Sequence, residues 1–395
     1  FKEDGVTRSV INNIKGLKEL LRDIDFVLGG GYFVSSLPSN IEKRYINWDS
    51  SNIVSQIQEI SRDADVVVIE NPTVGIFPKA TLAFKEFTEK NQNKRIIYRI
   101  HDIIDDRPYL FKEFQKIFSN IKESYPISKN VSFLTLTSFD KKRLADKGLK
   151  NISVLPNSIV ISDFVNTSNE NLRKVFEKNE IVNAGEKILA YPVRVLRRKN
   201  IEEAMLLTKI LNETRGNYRL IVTLPFEEDY KSEIEKLAID NNIPCSIGRA
   251  YNYIGFNRND RFTISDFYSI SDLVISTSVR EGFGFAFIEP WLVGTPVIGR
   301  KIPDITNDFE INGINLSHLY DNKILHNNED TEERLKKVKR ILSDPCEFKK
   351  VTENLNLNDR INKALSVVDE NKRTIKEHYN HIRIAKQFLA YMDSN

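Results

Sequence analysis

Two carboxylates, Glu281 and Glu289, bracket the seven residues Gly282-Phe283-Gly284-Phe285-Ala286-Phe287-Ile288. An apolar run of strand character, Asp272 to Ser278, precedes them. Gly294 reads as the stop of a short helix, and Pro296 to Gly299 as the next strand. The loop therefore falls at the carboxyl end of a strand, where open α/β sheets bind ligands. Gly282 and Gly284 let backbone N–H groups approach a ligand closely, and the helix that follows offers a dipole end suited to phosphate. Carboxylates accept hydrogen bonds from hydroxyls, so a polyhydroxylated ligand carrying phosphates suits this stretch. The alternative is a surface loop with Glu289 as an ordinary early-helix acid.

Two further groups of residues have chemical potential. The run Arg194-Val195-Leu196-Arg197-Arg198-Lys199-Asn200 follows a strand and precedes a helix beginning at Ile201. Basic side chains in that position form a pyrophosphate site, or else a basic surface loop. His101-Asp102 closes the strand Arg95 to Ile100. A histidine there can exchange hydrogen bonds with a hydroxyl near neutral pH, although a strand-end histidine held by local backbone bonds is common. Asp105 and Asp106 read equally as ligand contacts or as a solvated turn. Asp63-Ala64-Asp65 enters a strand rather than leaving one, so it is read as a turn and not as a metal motif.

The elements needed to position these groups alternate between strand and helix. Apolar runs mark strands at Asp25–Gly30, 63–70, 95–100, 131–138, 187–193 and 218–225. Helical spacing marks the segment after Gly5, residues 110–121, 331–342 and the tail 373–392. Residues 110–121 read as a helix covering a sheet or, alternatively, as a membrane-surface helix. Only four residues precede Gly5, so the strand that normally opens such a domain is missing or shortened, or the chain starts late. The 395 residues are long enough for two cores, and 41% hydrophobic with 29% charged is ordinary globular composition. A net charge of +3 gives no reason to expect a nucleic-acid partner. Two distant cysteines, no signal-peptide pattern and no membrane-length apolar run suggest a cytoplasmic protein without metal clusters.

The stretch 281–299 closely resembles the donor-site signature of the retaining glycosyltransferases of family 4 (glycosyl transferases group 1), which have the GT-B fold. The match holds at Glu281, Gly282, Phe283, Gly284, Glu289, Gly294, Pro296 and Val297. It departs at Pro290 and Trp291, where a change in packing rather than chemistry is expected. Asp4-Gly5-Val6-Thr7-Arg8-Ser9-Val10, His101-Asp102, Leu155-Pro156-Asn157-Ser158-Ile159 and the Arg194/Lys199 spacing resemble further family segments.

The resemblance implies an α/β GT-B protein with two Rossmann-like doubly wound domains facing a central cleft. They would be an acceptor-side domain at 1–157, a nucleotide-sugar domain at 158–372, and a last helix at 373–395 returning to the first domain. It implies a metal-independent retaining transfer of a glucose- or mannose-type hexose from a UDP- or GDP-sugar. The hydroxyl acceptor could be a small molecule, a glycan, a protein or a lipid-linked sugar, the last leaving room for peripheral membrane contact. Arg194 and Lys199 would hold the donor diphosphate, aided by Gly5 and the amides of Gly282, Phe283, Gly284 and Phe285, while Arg197 and Arg198 would face solvent or the acceptor. Glu281 would hold the sugar hydroxyls, Glu289 the ribose, and His101 the transferred sugar. Asp102, Asp105 and Arg107 would meet the acceptor, and Val195, Leu196 and Phe256 would wall the base. A sugar-nucleotide epimerase of the same fold, a phosphorylase-like enzyme and a non-catalytic nucleotide-sugar or glycan-binding subunit remain alternatives.

Overall fold

The computed structural model describes residues 5–33, 41–73, 75–165, 169–226, 228–255, 261–321 and 331–393. The chain divides into two compact units, Phe1–Val160 with His378–Asn395, and Ile161–Glu377.

The first unit is built on strands β3 (Val66–Glu70), β4 (Arg95–Ile100), β5 (Val131–Thr135) and β6 (Ile152–Val154), parallel and in that order. A separate parallel pair, β1 (Val27–Gly30) and β2 (Glu42–Tyr45), lies outside that sheet. Alternation along β4 sends Ile96, Tyr98 and Ile100 into one apolar core and Ile97 into another. The second core includes Leu17 of helix α1 (Gly5–Leu20) and Ile384, Ala385 and Phe388 of the last helix, His381–Asp393. These two helices touch closely at Gly16, where a Cβ would lie 2.5 Å from the His381 carbonyl oxygen.

Two segments differ from the expected elements. Residues 110–121 are not one helix. The helix is Pro108–Phe114, and Phe114, Phe118 and Ile121 are core residues of the first unit. The chain leaves the helix after Phe114, and Asn120 starts a new turn, its side chain accepting from the Glu123 amide. The apolar face that a membrane-surface helix would need is spent on this core. The tail is likewise two helices, Val368–His378 and His381–Asp393, broken where Ile159 and Asn380 form a β-bridge.

The second unit contains β7 (Lys187–Val195), β8 (Tyr218–Phe226), β9 (Cys245–Ile247), the short pair β10 (Ile254–Gly255) and β11 (Phe262–Thr263), β12 (Leu273–Ser276) and β13 (Val297–Gly299). Five of them form a parallel sheet in the order β13-β12-β7-β8-β9. The first strand of this sheet lies at its centre. The chain winds outward on one side through β8 and β9, then returns to the other side with β12. The topological switch point thus lies between β7 and β12, and the loops leaving both strands open there.

Behind the loop after β12, Trp291 is fully buried and its indole N–H donates to the Phe287 carbonyl at 2.8 Å. Its ring meets His318 edge to face, centroids 5.6 Å apart. Burial pushes the His318 imidazole down to about 4, and Arg360 adds to the effect. An unfolded histidine titrates near 6.5, so the unfolded chain binds the extra proton first. Stability therefore falls as pH drops from about 6.5 towards about 4. The expected contribution between pH 7 and pH 5 is about 2 kcal/mol. Urea unfolding at the two pH values should show a drop smaller by that amount in His318→Leu; equal drops would refute the assignment.

Candidate active site

The two loops at the switch point are fastened to each other. After β7 the chain makes a short 3-10 turn, Arg197–Lys199, and Asn200 then takes a left-handed conformation, φ 51°, before helix Ile201–Thr214. Asparagine is among the few side chains that tolerate this region. Its side-chain amide donates to the Thr277 carbonyl at 3.1 Å. The Val279 amide donates to the Arg198 carbonyl at 3.0 Å. From beneath, the buried Tyr191 hydroxyl lies 3.0 Å from Ser278 Oγ.

These ties bring Lys199 and Glu281 together. Lys199 is 7% exposed, and its Nζ donates to Glu281 Oε1. Ser278 Oγ donates to the same oxygen at 2.6 Å, and Arg198 stands 3.6 Å from Oε2. Burial pushes the Glu281 carboxyl up, but Lys199 and Arg198 outweigh it and hold the group below the usual carboxylate range. Glu281 is thus an ionised carboxylate between two cations.

Arg194 has an exposed side chain, with no hydrogen bond or ion pair among the described residues. Sequence reasoning sent Arg197 and Arg198 to solvent or an acceptor. The Arg198 side chain is 37% exposed and also reaches Glu281, 3.6 Å from Oε2, and donates to the Arg280 carbonyl at 3.0 Å. Arg197 lies over the Tyr230 ring, 5.3 Å from its centroid, and 3.4 Å from Glu233. The backbone bond between Val279 and Arg198 sets this orientation, and residue spacing alone does not reveal it. Ser278, three residues before Glu281, was also missed.

The segment after the loop is not the short α-helix expected. It is two 3-10 turns, Phe285–Phe287 and Pro290–Val293. Pro290 has no N–H to continue an α-helical ladder, so turns this short replace the helix and provide no helix-dipole site. Gly284 opens the first turn at φ 86°, where a Cβ would lie 2.8 Å from the Phe287 ring. Phe283 is buried and packs against Phe285 and Phe309, centroids 5.1 and 5.4 Å away. Its side chain therefore belongs to the core; Gly284 is buried as well, leaving Gly282, Phe285 and Ala286 as the half-buried part of the loop. Glu289 is 1% exposed, with the Tyr268 hydroxyl 3.4 Å from Oε2. Val195 is buried and Leu196 half-buried; Phe256, like Asp4, lies outside the described residues.

In the first unit, the parallel register sets Glu70 opposite Arg99, so the ends of β3 and β4 meet. His101 is 4% exposed, and its Nε2 lies 2.6 Å from Glu70 Oε2. Asp102 pairs with Arg107 at 2.9 Å, and Arg107 also donates to the Tyr109 hydroxyl at 3.2 Å. Asp105 pairs with Lys147 at 2.7 Å, and Asp106 takes a two-pronged contact from Arg143 at 2.7 and 3.2 Å. The acidic pair is therefore neither a bare solvated turn nor part of the Asp102–Arg107 contact. Gly5 is the exposed first residue of α1. Glu70, which sequence reasoning passed over, had one signal: a charged residue ending an apolar strand beside another strand that ends in His-Asp.

Residues 173–364 match the family described as glycosyl transferases group 1. This part of the chain is a group 1 glycosyltransferase domain. The chain is 28% identical over 315 residues to mannosylglucosyl-3-phosphoglycerate synthase of Petrotoga mobilis, a match covering 75% of this chain and 58% of that protein. It is 25% identical over 335 residues to mannosylglucosylglycerate synthase of the same organism, covering 78% and 76%. The chain thus spans little more than half of the first of these relatives. Among solved structures, Anabaena HepE in complex with UDP and glucose superposes with a TM-score of 0.66 at 13% identity, covering 100% of this chain and 97% of that one. The fold is GT-B. Among the described residues no helix is long and apolar enough to cross a membrane, and no group of three or more His, Cys, Asp or Glu is arranged to hold a metal ion.

Proposed function

We propose that the chain is a metal-independent retaining hexosyltransferase that moves a glucose- or mannose-type sugar from a UDP- or GDP-sugar to a hydroxyl acceptor. The observation that supports this most directly is Glu281, held ionised between Lys199 and Arg198 at the switch point of a group 1 glycosyltransferase domain. In this reading Arg194 and Lys199 stabilise the charge that grows on the leaving diphosphate, as preorganised cations do. The amides of Gly282, Gly284 and Phe285 add to that, and Phe283 helps only through its backbone. Glu281 accepts hydrogen bonds from the sugar hydroxyls, Glu289 from the ribose, and His101 contacts the transferred sugar. Gly5 approaches the donor phosphates, while Asp102, Asp105 and Arg107 serve the acceptor. The anomeric carbon–phosphate oxygen bond breaks as the acceptor oxygen bonds to the same face. The acceptor's proton passes to the leaving phosphate oxygen, so no separate base is needed.

The names of the two curated relatives describe mannosylglucosyl products, so a small glycosylated acid is the first acceptor to test. The experiment is a thermal-shift screen with UDP, GDP and ADP, each with and without its hexose, followed by acceptor screening and NMR assignment of the product anomer. A shift with one nucleotide and a product that keeps the donor's anomeric configuration are expected. Conversion of the sugar nucleotide without transfer would establish the epimerase reading instead. Inversion at the anomeric carbon would overturn the retaining assignment.

A further inference from the structure

We propose that Glu70 and Asn71 are positioning residues that fix the ring tautomer and the backbone of His101. The proposal rests on the reading of His101 as a contact to the transferred sugar.

The argument starts from burial. Arg99 is fully buried and stands 3.7 Å from Glu70 Oε1, while Glu70 Oε2 meets His101 Nε2 at 2.6 Å. Burial pushes the Glu70 carboxyl up, but Arg99 and the His101 hydrogen bond prevail and hold it below the usual range. An ionised carboxylate only accepts hydrogen bonds. The short contact therefore requires the proton on Nε2, which leaves the Nδ1 lone pair of the neutral ring unprotonated. Nδ1 makes no hydrogen bond among the described residues, so it is the atom left to accept from a hydroxyl. The partner of one ring nitrogen thus determines what the other presents.

Asn71 performs the corresponding task on the backbone. It sits in the left-handed region at φ 51°, and its amide donates to the Arg99 carbonyl at 2.7 Å. Its Oδ1 accepts from the amides of His101 and Asp102 at 3.3 and 3.0 Å, and its Nδ2 donates to Asp102 Oδ2 at 3.3 Å. Strain of this kind persists where the surroundings over-determine it. Here it clamps the turn that carries His101 and the Asp102–Arg107 pair.

The test uses the full chain and two variants. Glu70→Gln keeps the shape but can present an amide N–H to Nε2, removing the bias toward one tautomer. Asn71→Gly tolerates the backbone angle, removes the acceptor and leaves the Arg99–Glu70 pair intact, which guards against a folding failure of Glu70→Gln. Ring nitrogen-15 shifts are readable because the chain has only five histidines, with His101→Gln identifying the signal. The wild type is expected to show the Nε2–H tautomer at His101, and Glu70→Gln a mixed or reversed one. Misorientation should lower turnover about 10- to 100-fold in Glu70→Gln and about 10-fold in Asn71→Gly, with KM changed by less than about threefold. Adding His101→Gln to Glu70→Gln should cost little more. A wild-type ring protonated at Nδ1, or losses that multiply in the double variant, would overturn the proposal. A chain that transfers no sugar would sink the functional reading alone, since the ring spectra decide the positioning claim independently.

Discussion

Lys199→Met is expected to lower turnover about 10²- to 10³-fold, the effect of deleting one preorganised charge from a site where negative charge develops. Methionine keeps the buried stem of the lysine and removes only the ammonium group. The substitution leaves Glu281 ionised with Arg198 at 3.6 Å and Ser278 at 2.6 Å, so some stability is also lost. The two effects separate in the double variant Lys199→Met/Glu281→Gln. There the uncompensated carboxylate is gone and thermal stability should return, while turnover stays low because neither charge meets the donor. Lys199→Arg should not rescue activity, since a planar fork does not replace a point charge in a pocket 7% exposed. Steady-state kinetics on the four proteins check this. Turnover within tenfold of wild type in Lys199→Met would remove this residue from the reaction.

The parts of this site that were legible in the sequence are those fixed by local chemistry. Glu281 and Lys199 follow strands whose apolar runs are unmistakable, and β7, β8 and β4 lie close to where periodicity put them. The order β13-β12-β7-β8-β9 was not legible in periodicity, because strand neighbours are chosen by packing between distant segments. For the same reason the contact between Arg198 and Glu281 was not legible in the sequence. That contact depends on a backbone bond spanning 198 to 279. The helix expected after the glycine loop failed on a local rule, since Pro290 cannot continue a ladder that Phe285 to Phe287 begins. Residues 110–121 failed on a subtler one. Helical spacing of apolar residues also arises when a short helix and the turns after it face the same core.

Arg300→Leu is expected to destabilise the second unit by about 3–5 kcal/mol, the penalty for stranding a buried partner charge. Arg300 and Glu203 are each 1% exposed. Burial disfavours the charge on Arg300, and Glu203 outweighs it. Glu203, in the first turn of helix Ile201–Thr214, also accepts from the Tyr320 hydroxyl and from the side-chain amide of Asn200, both at 2.5 Å. One buried carboxylate therefore ties the end of β13 and Tyr320 to the left-handed residue that directly follows Lys199. At about 2–4 °C per kcal/mol for a unit of this size, calorimetry should show a transition lowered by about 6–20 °C. Replacing both partners, Glu203→Leu with Arg300→Leu, removes the stranded charge and should recover part of that loss, the Tyr320 hydroxyl and the Asn200 amide having lost their acceptor. It should not restore the site. Asn200 has then lost a partner that holds the turn beneath Lys199, so nucleotide binding stays weakened in a protein that has regained part of its stability. Recovery of both stability and binding would make the pair a purely structural feature of the core. A single variant within about 1 kcal/mol of wild type would mean that the carboxylate finds another partner.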